Sequence, residues 1–411
     1  MTADPAPFRW RGVFLSAILP TLVFSIGEGA ILPLIPIVAN NLGSGLAGAG
    51  LIASLITVGA LAGAIPGGWI VSRVGERAAM IFAALLSAVG VALAALAPNS
   101  VVLAIGILLI GLSAAVFGLA RHAFMTTYVP LQYRARALST LGGTFRLGFF
   151  VGPFISAAMI AIVGDSQPVF WLHLIASVAT ALMLIFLPDP ESTFRERRLV
   201  HTGEIEAAAE SHGVFHTIWA KRGVLLKLGS GAALIAGLRA SRQVILPLWA
   251  VSIGISEANT ALIIGIAGGI DFALFYTGGQ IMDRFGRIWT AVPSMIGLGL
   301  GNLVLALTHD LPSNVAWFIA AALLLSVANG IGSGIIMTLG ADLADKNNPA
   351  PFLGAWRFTT EGGGAAAPLL LSGITAVASL SVAAGAMGVL GLLGAAMLAR
   401  YIPKYIPRRK R

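Results

Sequence analysis

The chain has 411 residues, of which 57% are apolar and only 10% are charged. A soluble protein of this size carries about 25% charged residues, so this composition indicates a polytopic membrane protein and excludes a water-soluble enzyme. There is no cysteine, which excludes disulfides and thiolate metal sites. The net charge of +9 would suit a nucleic-acid partner only if the basic residues clustered for that purpose.

Twelve apolar runs are long enough to cross a bilayer, which takes about 20 helical residues each. They fall near 13–39, 47–71, 78–97, 100–127, 137–163, 168–188, 224–253, 258–281, 288–308, 314–340, 351–376 and 380–401. Several runs are interrupted by Gly and Pro, which suits kinked helices that border a cavity. The sequence therefore predicts an all-α membrane protein with 12 transmembrane helices.

The basic residues predict the orientation of these helices. Of the 26 Lys and Arg residues, 21 lie in the two termini and in alternate loops, and the intervening loops hold none. By the positive-inside rule, both termini are then cytoplasmic in a plasma or inner membrane. The same residues would contact anionic lipid headgroups, so the charge requires no nucleic-acid partner.

One long polar stretch divides the twelve runs into two sets of six. We predict an N-terminal six-helix bundle over 1–188, a cytoplasmic linker over 189–222, and a C-terminal bundle with a basic tail over 223–411. Apolar residues recur at helical spacing in the linker, around Ile218 and Trp219. They favour a short helix that lies on the inner membrane surface.

The two sets repeat each other in sequence. Ile31-Leu-Pro-Leu recurs as Ile245-Leu-Pro-Leu at an offset of 214, and Phe145-Arg146 matches Trp356-Arg357 at an offset of 211. A third match joins the segment from Gly68 to the segment from Gly279, again at 211. Matches in register along the chain indicate a parallel duplication of six helices.

The third match resembles the loop signature of the major facilitator superfamily. Its residues are Gly68, Arg73, Gly75 and Arg77 in the first copy, and Gly279, Asp283, Arg284, Gly286 and Arg287 in the second. The first copy departs from the signature, with Ser72 in the acidic position and Glu76 in a basic one. The resemblance implies two pseudo-symmetric six-helix bundles around a central cavity, with the loops stapling neighbouring helices on the cytoplasmic side.

Helix 5 carries Gly148, Gly152 and Pro153, which resemble part of the signature of the 12-helix drug/proton antiporter branch. A structural interpretation is equally available, because a Gly-Pro bend lets helices pack closely. The arginine that this branch places in helix 4 is not at its usual position. Arg121 comes about ten residues later, so that role is not assigned to it.

Eight charged residues fall inside the predicted helices and are candidates for proton coupling or for the central cavity. They are Glu28, Arg121, Arg146, Arg239, Arg242, Asp271, Arg357 and Glu361. Charges in a membrane must face the protein interior or one another.

The structural alternative for these charges is a set of salt bridges, Arg242 with Asp271 and Arg357 with Glu361. Glu28 has no basic residue within four positions on its helix, which favours a coupling role. The 214-residue offset places Glu28 opposite Arg242 across the cavity. His122 could titrate near neutrality, although a helix-end role ranks higher.

These patterns predict a secondary transporter and no enzyme, cofactor or metal site. The leading hypothesis is proton-coupled efflux of small amphiphilic or drug-like compounds by alternating access, with Glu28 as the proton site. Uptake or exchange of an organic anion or zwitterion, and lipid translocation, are the alternatives. The expected partners are a small-molecule substrate, protons and membrane lipids, and the expected assembly is a monomer.

Overall fold

The structure is a computed structural model that describes residues 10–187, 216–345 and 350–406. These residues form twelve long helices and no β-strand, and the helices are α1 (10–39), α2 (Gly45–Val74), α3 (Glu76–Ala95), α4 (Ser100–Tyr128), α5 (Leu131–Val163), α6 (Gln167–Phe186), α7 (Arg222–Ser252), α8 (Glu257–Phe285), α9 (Ile288–Thr308), α10 (Asn314–Leu343), α11 (Ala350–Val377) and α12 (Leu380–Tyr405). The predicted fold class is confirmed.

Length and hydropathy alone would let ten stretches of the described residues cross a membrane. The first of them, Phe14–Ala64, contains both α1 and most of α2. α11 is not among the ten, and it carries the charged pair Arg357 and Glu361. The chain is a multi-pass membrane protein.

A glycine follows the last residue of α2 and of α8, at the turns that lead into α3 and α9. Gly75 has a φ of +87° and Gly286 a φ of +98°, a region that L side chains rarely adopt. These are the glycines of the two loop-motif copies. Gly75 alone separates α2 from α3, and Gly286 with Arg287 separates α8 from α9, so the motif forms a turn of one or two residues between consecutive helices. α5 begins at Leu131 rather than near 137, because Arg134 and Arg136 lower the hydropathy of its first turns.

Six helices form each half of the molecule. In the first half, α4 packs on α2 and α3, and α1 packs on α5; in the second half, α9 packs on α12 and α10, and α7 packs on α11. The halves meet along α5 with α8 and along α2 with α11, as expected of two bundles around a cavity. Residues 189–215 of the predicted linker and residues 407–411 of the tail lie outside the described residues, so the domain boundaries stay a prediction.

The two ends of the bundle differ in charge. We call the end with the turns at Gly75 and Gly286 the basic end, and the end with the 40–44, 253–256 and 309–313 connections the opposite end. At the opposite end, Asn41 Nδ2 donates to Glu257 Oε1 across the two halves at 2.8 Å. A buried apolar cluster there joins α1 and α2 to α7. The cavity between the halves is therefore closed at the opposite end.

Candidate functional site

A cavity of about 470 Å³ lies between the halves near the middle of the bundle. Helices of both halves supply its polar lining, which is Glu28 from α1, Thr57 from α2, Arg146 from α5, Arg239, Arg242 and Gln243 from α7, Asp271 from α8, and Asn329 from α10. Its aromatic lining is Phe145, Phe149, Phe150 and Phe272. Five of the eight predicted charges are thus brought to one cavity.

Asp271 is the centre of the polar network. Its carboxylate accepts from Arg146 Nη1 at 3.5 Å, from Arg242 Nη2 at 3.4 Å and from Asn329 Nδ2 at 2.5 Å. The Arg242–Asp271 pair is the salt bridge that the sequence suggested. The Arg146–Asp271 pair links α5 of the first half to α8 of the second. This ion pair therefore joins the halves through the cavity.

Two further contacts tie the arginines of α7 to α10. Arg242 Nη1 donates to Ser326 Oγ at 2.7 Å. Arg239 donates through Nη2 to the carbonyl of Gly332, where α10 is interrupted and Gly334 adopts a φ of +79°. The same carbonyl accepts from the backbone N–H of Ile335 at 3.3 Å, so Arg239 supplies a second donor to it. No carboxylate among the described residues lies within 4 Å of Arg239.

The charges of the cavity do not balance. Arg146, Arg239 and Arg242 face one paired carboxylate, that of Asp271. The guanidinium of Arg146 lies 4.3 Å from the ring centre of Phe275. Phe150 and Phe272 stack with centroids 6.1 Å apart. Cationic groups beside an aromatic wall suit a ligand with an anionic group on an apolar body.

Glu28 stands apart from this network. This residue is only 7% exposed, and its carboxylate forms no ion pair or hydrogen bond with the described residues. Both Glu28 and Arg242 border the cavity, as the repeat predicts, but Arg242 pairs with Asp271. The basic group that acts electrostatically on Glu28 is Arg121 of α4, whose guanidinium lies 4.8 Å from the ring centre of Phe145.

Arg357 and Glu361 form the predicted i, i+4 ion pair, at 2.7 Å. Neither residue lines the cavity, and the Arg357 side chain is 57% exposed. His122 is also exposed, and its Nδ1 lies 2.7 Å from the carbonyl oxygen of Gly118 one turn earlier on its own helix. These groups form no part of the network around Asp271.

The second copy of the loop motif is an ion-paired link. Arg287 Nε donates to Asp342 Oδ2 of α10 at 2.8 Å, and Arg287 Nη1 lies 3.6 Å from Asp283 Oδ1. The hydrogen bond to Asp342 raises the pKa of the Arg287 guanidinium above its ordinary value. This copy staples the start of α9 to the end of α10.

The first copy makes a similar link with other chemistry. Glu76, which the repeat aligns with Arg287, accepts from Thr127 Oγ1 of α4 at 3.0 Å. Arg77 donates to the carbonyls of Leu184 at 2.6 Å and Leu187 at 2.8 Å at the end of α6. In this copy an acidic residue thus takes the place of Arg287, and its described partner on α4 is a hydroxyl group.

Other residues of the motif are exposed or free of close neighbours. The guanidinium groups of Arg73 and Arg284 lie over the rings of Trp69 and Phe285, each at 5.3 Å. Gly68 and Gly279 have no atom within 4 Å of an added Cβ.

The glycines of the helix 5 motif serve the packing of α1 on α5. A Cβ added to Gly148 would lie 2.5 Å from the Cβ of Ser25, and one added to Gly152 would lie 2.4 Å from the backbone N of Ala30. Pro153 follows inside the helix and borders the cavity. The contacts match the structural interpretation of this motif.

Neutral polar residues escaped the sequence reading, and three of them are buried. Asn329 and Ser326 of α10 are buried and belong to the cavity network. His173 of α6 is fully buried, with Nε2 3.2 Å from Ser87 Oγ. All three are neutral residues in apolar helices, and Ser326 and Asn329 are three positions apart on the same helix. A polar side chain within an apolar run is the only signal that could have pointed to them. In the described part of the chain, no cluster of three or more metal-binding side chains occurs.

Comparison with known proteins places the chain in a family. The sequence profile of the Major Facilitator Superfamily matches residues 17–368 and 228–411. "Probable anion transporter 6" of Oryza sativa subsp. japonica is 28% identical over 179 residues, which are 42% of this chain and 42% of that protein. The chain thus spans less than half of that relative.

Two other similarities extend over the whole chain. "Tetracycline resistance protein, class H" of Pasteurella multocida is 25% identical over 404 residues, 96% of each protein. The crystal structure of a D-xylose-proton symporter superposes with a TM-score of 0.75 at 16% identity, covering 97% of this chain and 99% of that one. The chain belongs to the Major Facilitator Superfamily, a family of multi-pass membrane transporters.

Proposed function

We propose that this chain is a proton-coupled secondary transporter that exports small amphiphilic, drug-like compounds bearing an anionic group. The observation that carries this proposal is the cavity, where three arginines and one paired aspartate lie against a wall of phenylalanines. Arginine binds carboxylate and phosphate groups through several N–H donors. The phenyl rings suit the apolar body of the same compound.

Glu28 is the proposed proton site. It is buried at the cavity wall without a bonded partner among the described residues, and an unpaired carboxylate in a membrane interior is costly. Such a group can take up a proton in one conformation and release it in another. Arg121 acts electrostatically on Glu28, and this effect would change as the helices move. The proton affinity of Glu28 would then change with the conformational step, which would couple proton uptake and release to transport.

The proposed orientation places the basic end in the cytoplasm, in agreement with the positive-inside rule. Both termini are then cytoplasmic in a cell membrane, and closure at the opposite end corresponds to an inward-facing state. The units 1–188 and 223–411 would rock about the cavity, with the protein acting as a monomer. Export is proposed because the relative that matches over 96% of both chains is named as a tetracycline resistance protein.

Uptake or exchange of an organic anion is the second candidate. The excess of arginine over paired carboxylate in the cavity favours it, and a relative over part of the chain is named as an anion transporter. Both candidates share the anionic group and differ in direction and in the size of the apolar body.

Reconstitution in liposomes under an imposed pH gradient tests the proposal. Glu28→Gln should lose proton-driven transport and keep substrate counterflow without a gradient, whereas Asp165→Asn in the α5–α6 connection should keep both. Proton-driven transport that is undiminished in Glu28→Gln would refute the coupling role. Arg146→Gln should weaken transport of anionic compounds more than of neutral ones, and equal loss would refute the anion site. The sign of the gradient that drives accumulation decides the direction.

A further inference from the structure

The lining of the cavity is ordered along the axis of the bundle. Odd-numbered helices run toward the opposite end, and even-numbered helices run away from it. On α1, the cavity liner Leu32 comes four residues after Glu28, and on α7 the liner Leu246 comes four residues after Arg242. At a rise of about 1.5 Å per residue, each apolar liner lies about 6 Å nearer the opposite end than the charged group on its helix.

The helices α5 and α8 show the same order. On α5, the liner Pro153 comes seven residues after Arg146. α8 runs the other way, and there the liner Ile264 comes seven residues before Asp271. These separations correspond to about 10 Å along a helix. All four helices that bring a charged group to the cavity therefore place an apolar liner between that group and the opposite end.

We call the part of the lining nearest the opposite end the apolar floor, and its residues are Leu32, Pro33, Pro153, Leu246, Pro247 and Ile264. None of these side chains has a hydrogen-bonding group. α5 and α8 meet at this depth, since a Cβ added to Gly265 would lie 3.1 Å from the ring of Phe154. Leu32 and Ile264 are only partly buried, so they leave apolar surface for a ligand.

The uncharged polar liners lie at the level of the charged groups. Gln243 is the sequence neighbour of an arginine of α7, and Asn329 donates to the carboxylate of α8. Thr57 of α2 lies at that level too, because Gly50, seven residues before it, meets Leu248, six residues beyond the second arginine of α7. A Cβ added to Gly50 would lie 3.1 Å from Leu248 Cδ1.

This order gives the two ends of a ligand different surroundings. A carboxylate beside Arg146 finds guanidinium donors, and that side chain is 27% exposed. A carboxylate on the apolar floor would lose its water without gaining a side-chain donor, which is costly. An apolar group on the floor has no such cost.

We propose that the cavity binds monocarboxylic acids with their apolar body on the apolar floor and their carboxylate toward the basic end. Arg146 and the two arginines of α7 receive the carboxylate. A second carboxylate at the far end of a rigid body would lie on the floor, so the dicarboxylic acid of the same shape is rejected. This inference rests on the proposed function, since it names the substrate class of the same cavity and its orientation there.

Rigid pairs of acids test the inference on the purified full-length protein. The pairs are naphthalene-2-carboxylate with naphthalene-2,6-dicarboxylate and biphenyl-4-carboxylate with biphenyl-4,4′-dicarboxylate. In each pair the second carboxylate cannot fold back to the first. Isothermal titration calorimetry at about pH 7.5, where these carboxyl groups are ionised, should show the monocarboxylate of a pair binding about 30-fold or more tightly than the dicarboxylate.

Two variants assign the effect to the floor. Ile264→Arg puts a guanidinium on the floor and should bring the ratio between the two acids of a pair to about one or below. Asn259→Arg is the matched control, because it adds the same charge to α8 at an exposed position that does not line the cavity. It should keep the wild-type ratio. If Ile264→Arg does not fold, the wild-type ratio still decides.

The outcomes separate this inference from the proposed function. Dicarboxylates that bind the wild-type protein as tightly as their monocarboxylate partners overturn the inference and leave the anion site standing. A wild-type ratio that survives in folded Ile264→Arg also overturns it, because the far end of the ligand is then not on the floor. No binding by any of the acids overturns the anion site of the proposed function, and the inference with it.

Discussion

Gly152→Ala should destabilise the protein, because the contact between α1 and α5 has no room for a methyl group. The added Cβ would lie 2.4 Å from the backbone N of Ala30, 2.6 Å from the carbonyl carbon of Gly29 and 2.6 Å from the carbonyl oxygen of Ile26. All three atoms are backbone, so no side chain can rotate away. Ordinary contacts of a Cβ are 3.4–4 Å, and the helices would have to separate by about 1 Å.

The magnitude follows from two opposed effects. Overpacking of a tightly packed contact costs about 1–3 kcal/mol, and rigid backbone neighbours place this site near the upper value. Alanine in place of glycine in a helix contributes about 1 kcal/mol of stability. The expected net loss is about 2 kcal/mol.

Gly142→Ala is the matched control on the same helix. Nothing lies within 4 Å of its added Cβ, so only the helix-propensity gain should appear. The two variants should therefore differ by about 3 kcal/mol, measured by equilibrium unfolding in detergent. Gly152→Ala as stable as Gly142→Ala would refute the packing argument. A stable but inactive Gly152→Ala would instead favour a role in the conformational cycle.

Three further predictions concern the charged groups. Asp271→Asn leaves two arginines without their carboxylate and should cost about 3 kcal/mol in equilibrium unfolding; unchanged stability would mean that the pairs are not formed. Alanine substitutions of Arg287 and Asp342, singly and together, should give a coupling energy of about 0.5–1 kcal/mol that falls with added salt. The hydrogen bond to Asp342 raises the pKa of Arg287, so the stability that this pair contributes is fully present below the ordinary pKa of arginine. The coupling energy should therefore be constant from about pH 6 to 9, and a decline within that window would contradict this assignment. Glu28→Gln removes an unpaired buried carboxylate and should melt no lower than the wild-type protein at about pH 8; a lower melting temperature would reveal a bonded partner.

Hydropathy predicted the architecture well because the membrane imposes one requirement on every spanning helix. Each helix needs a long apolar run, and the twelve runs correspond to α1 through α12. The errors fall at charged helix ends, as at the start of α5, where Arg134 and Arg136 lie in the helix but lower its hydropathy. The break in α10 at Gly334 left no hydropathy signal at all.

The pairing of the charges was less predictable. The pairs Arg242–Asp271 and Arg357–Glu361 were anticipated from depth and from i, i+4 spacing. Depth places a residue along a helix but does not give the rotation of that helix. For that reason the repeat placed Glu28 opposite Arg242. In the structure, the basic group that acts electrostatically on Glu28 is Arg121.

The ion pair between Arg146 and Asp271 has a consequence for the empty protein. It joins α5 to α8 inside the cavity, so without a ligand the halves are held by the same groups that would receive one. A ligand anion bound at Arg146, as proposed, would compete with Asp271 and would loosen this link. We therefore expect the loaded protein to change conformation faster than the empty one, which would suppress slippage of unloaded protein and favour one-for-one exchange.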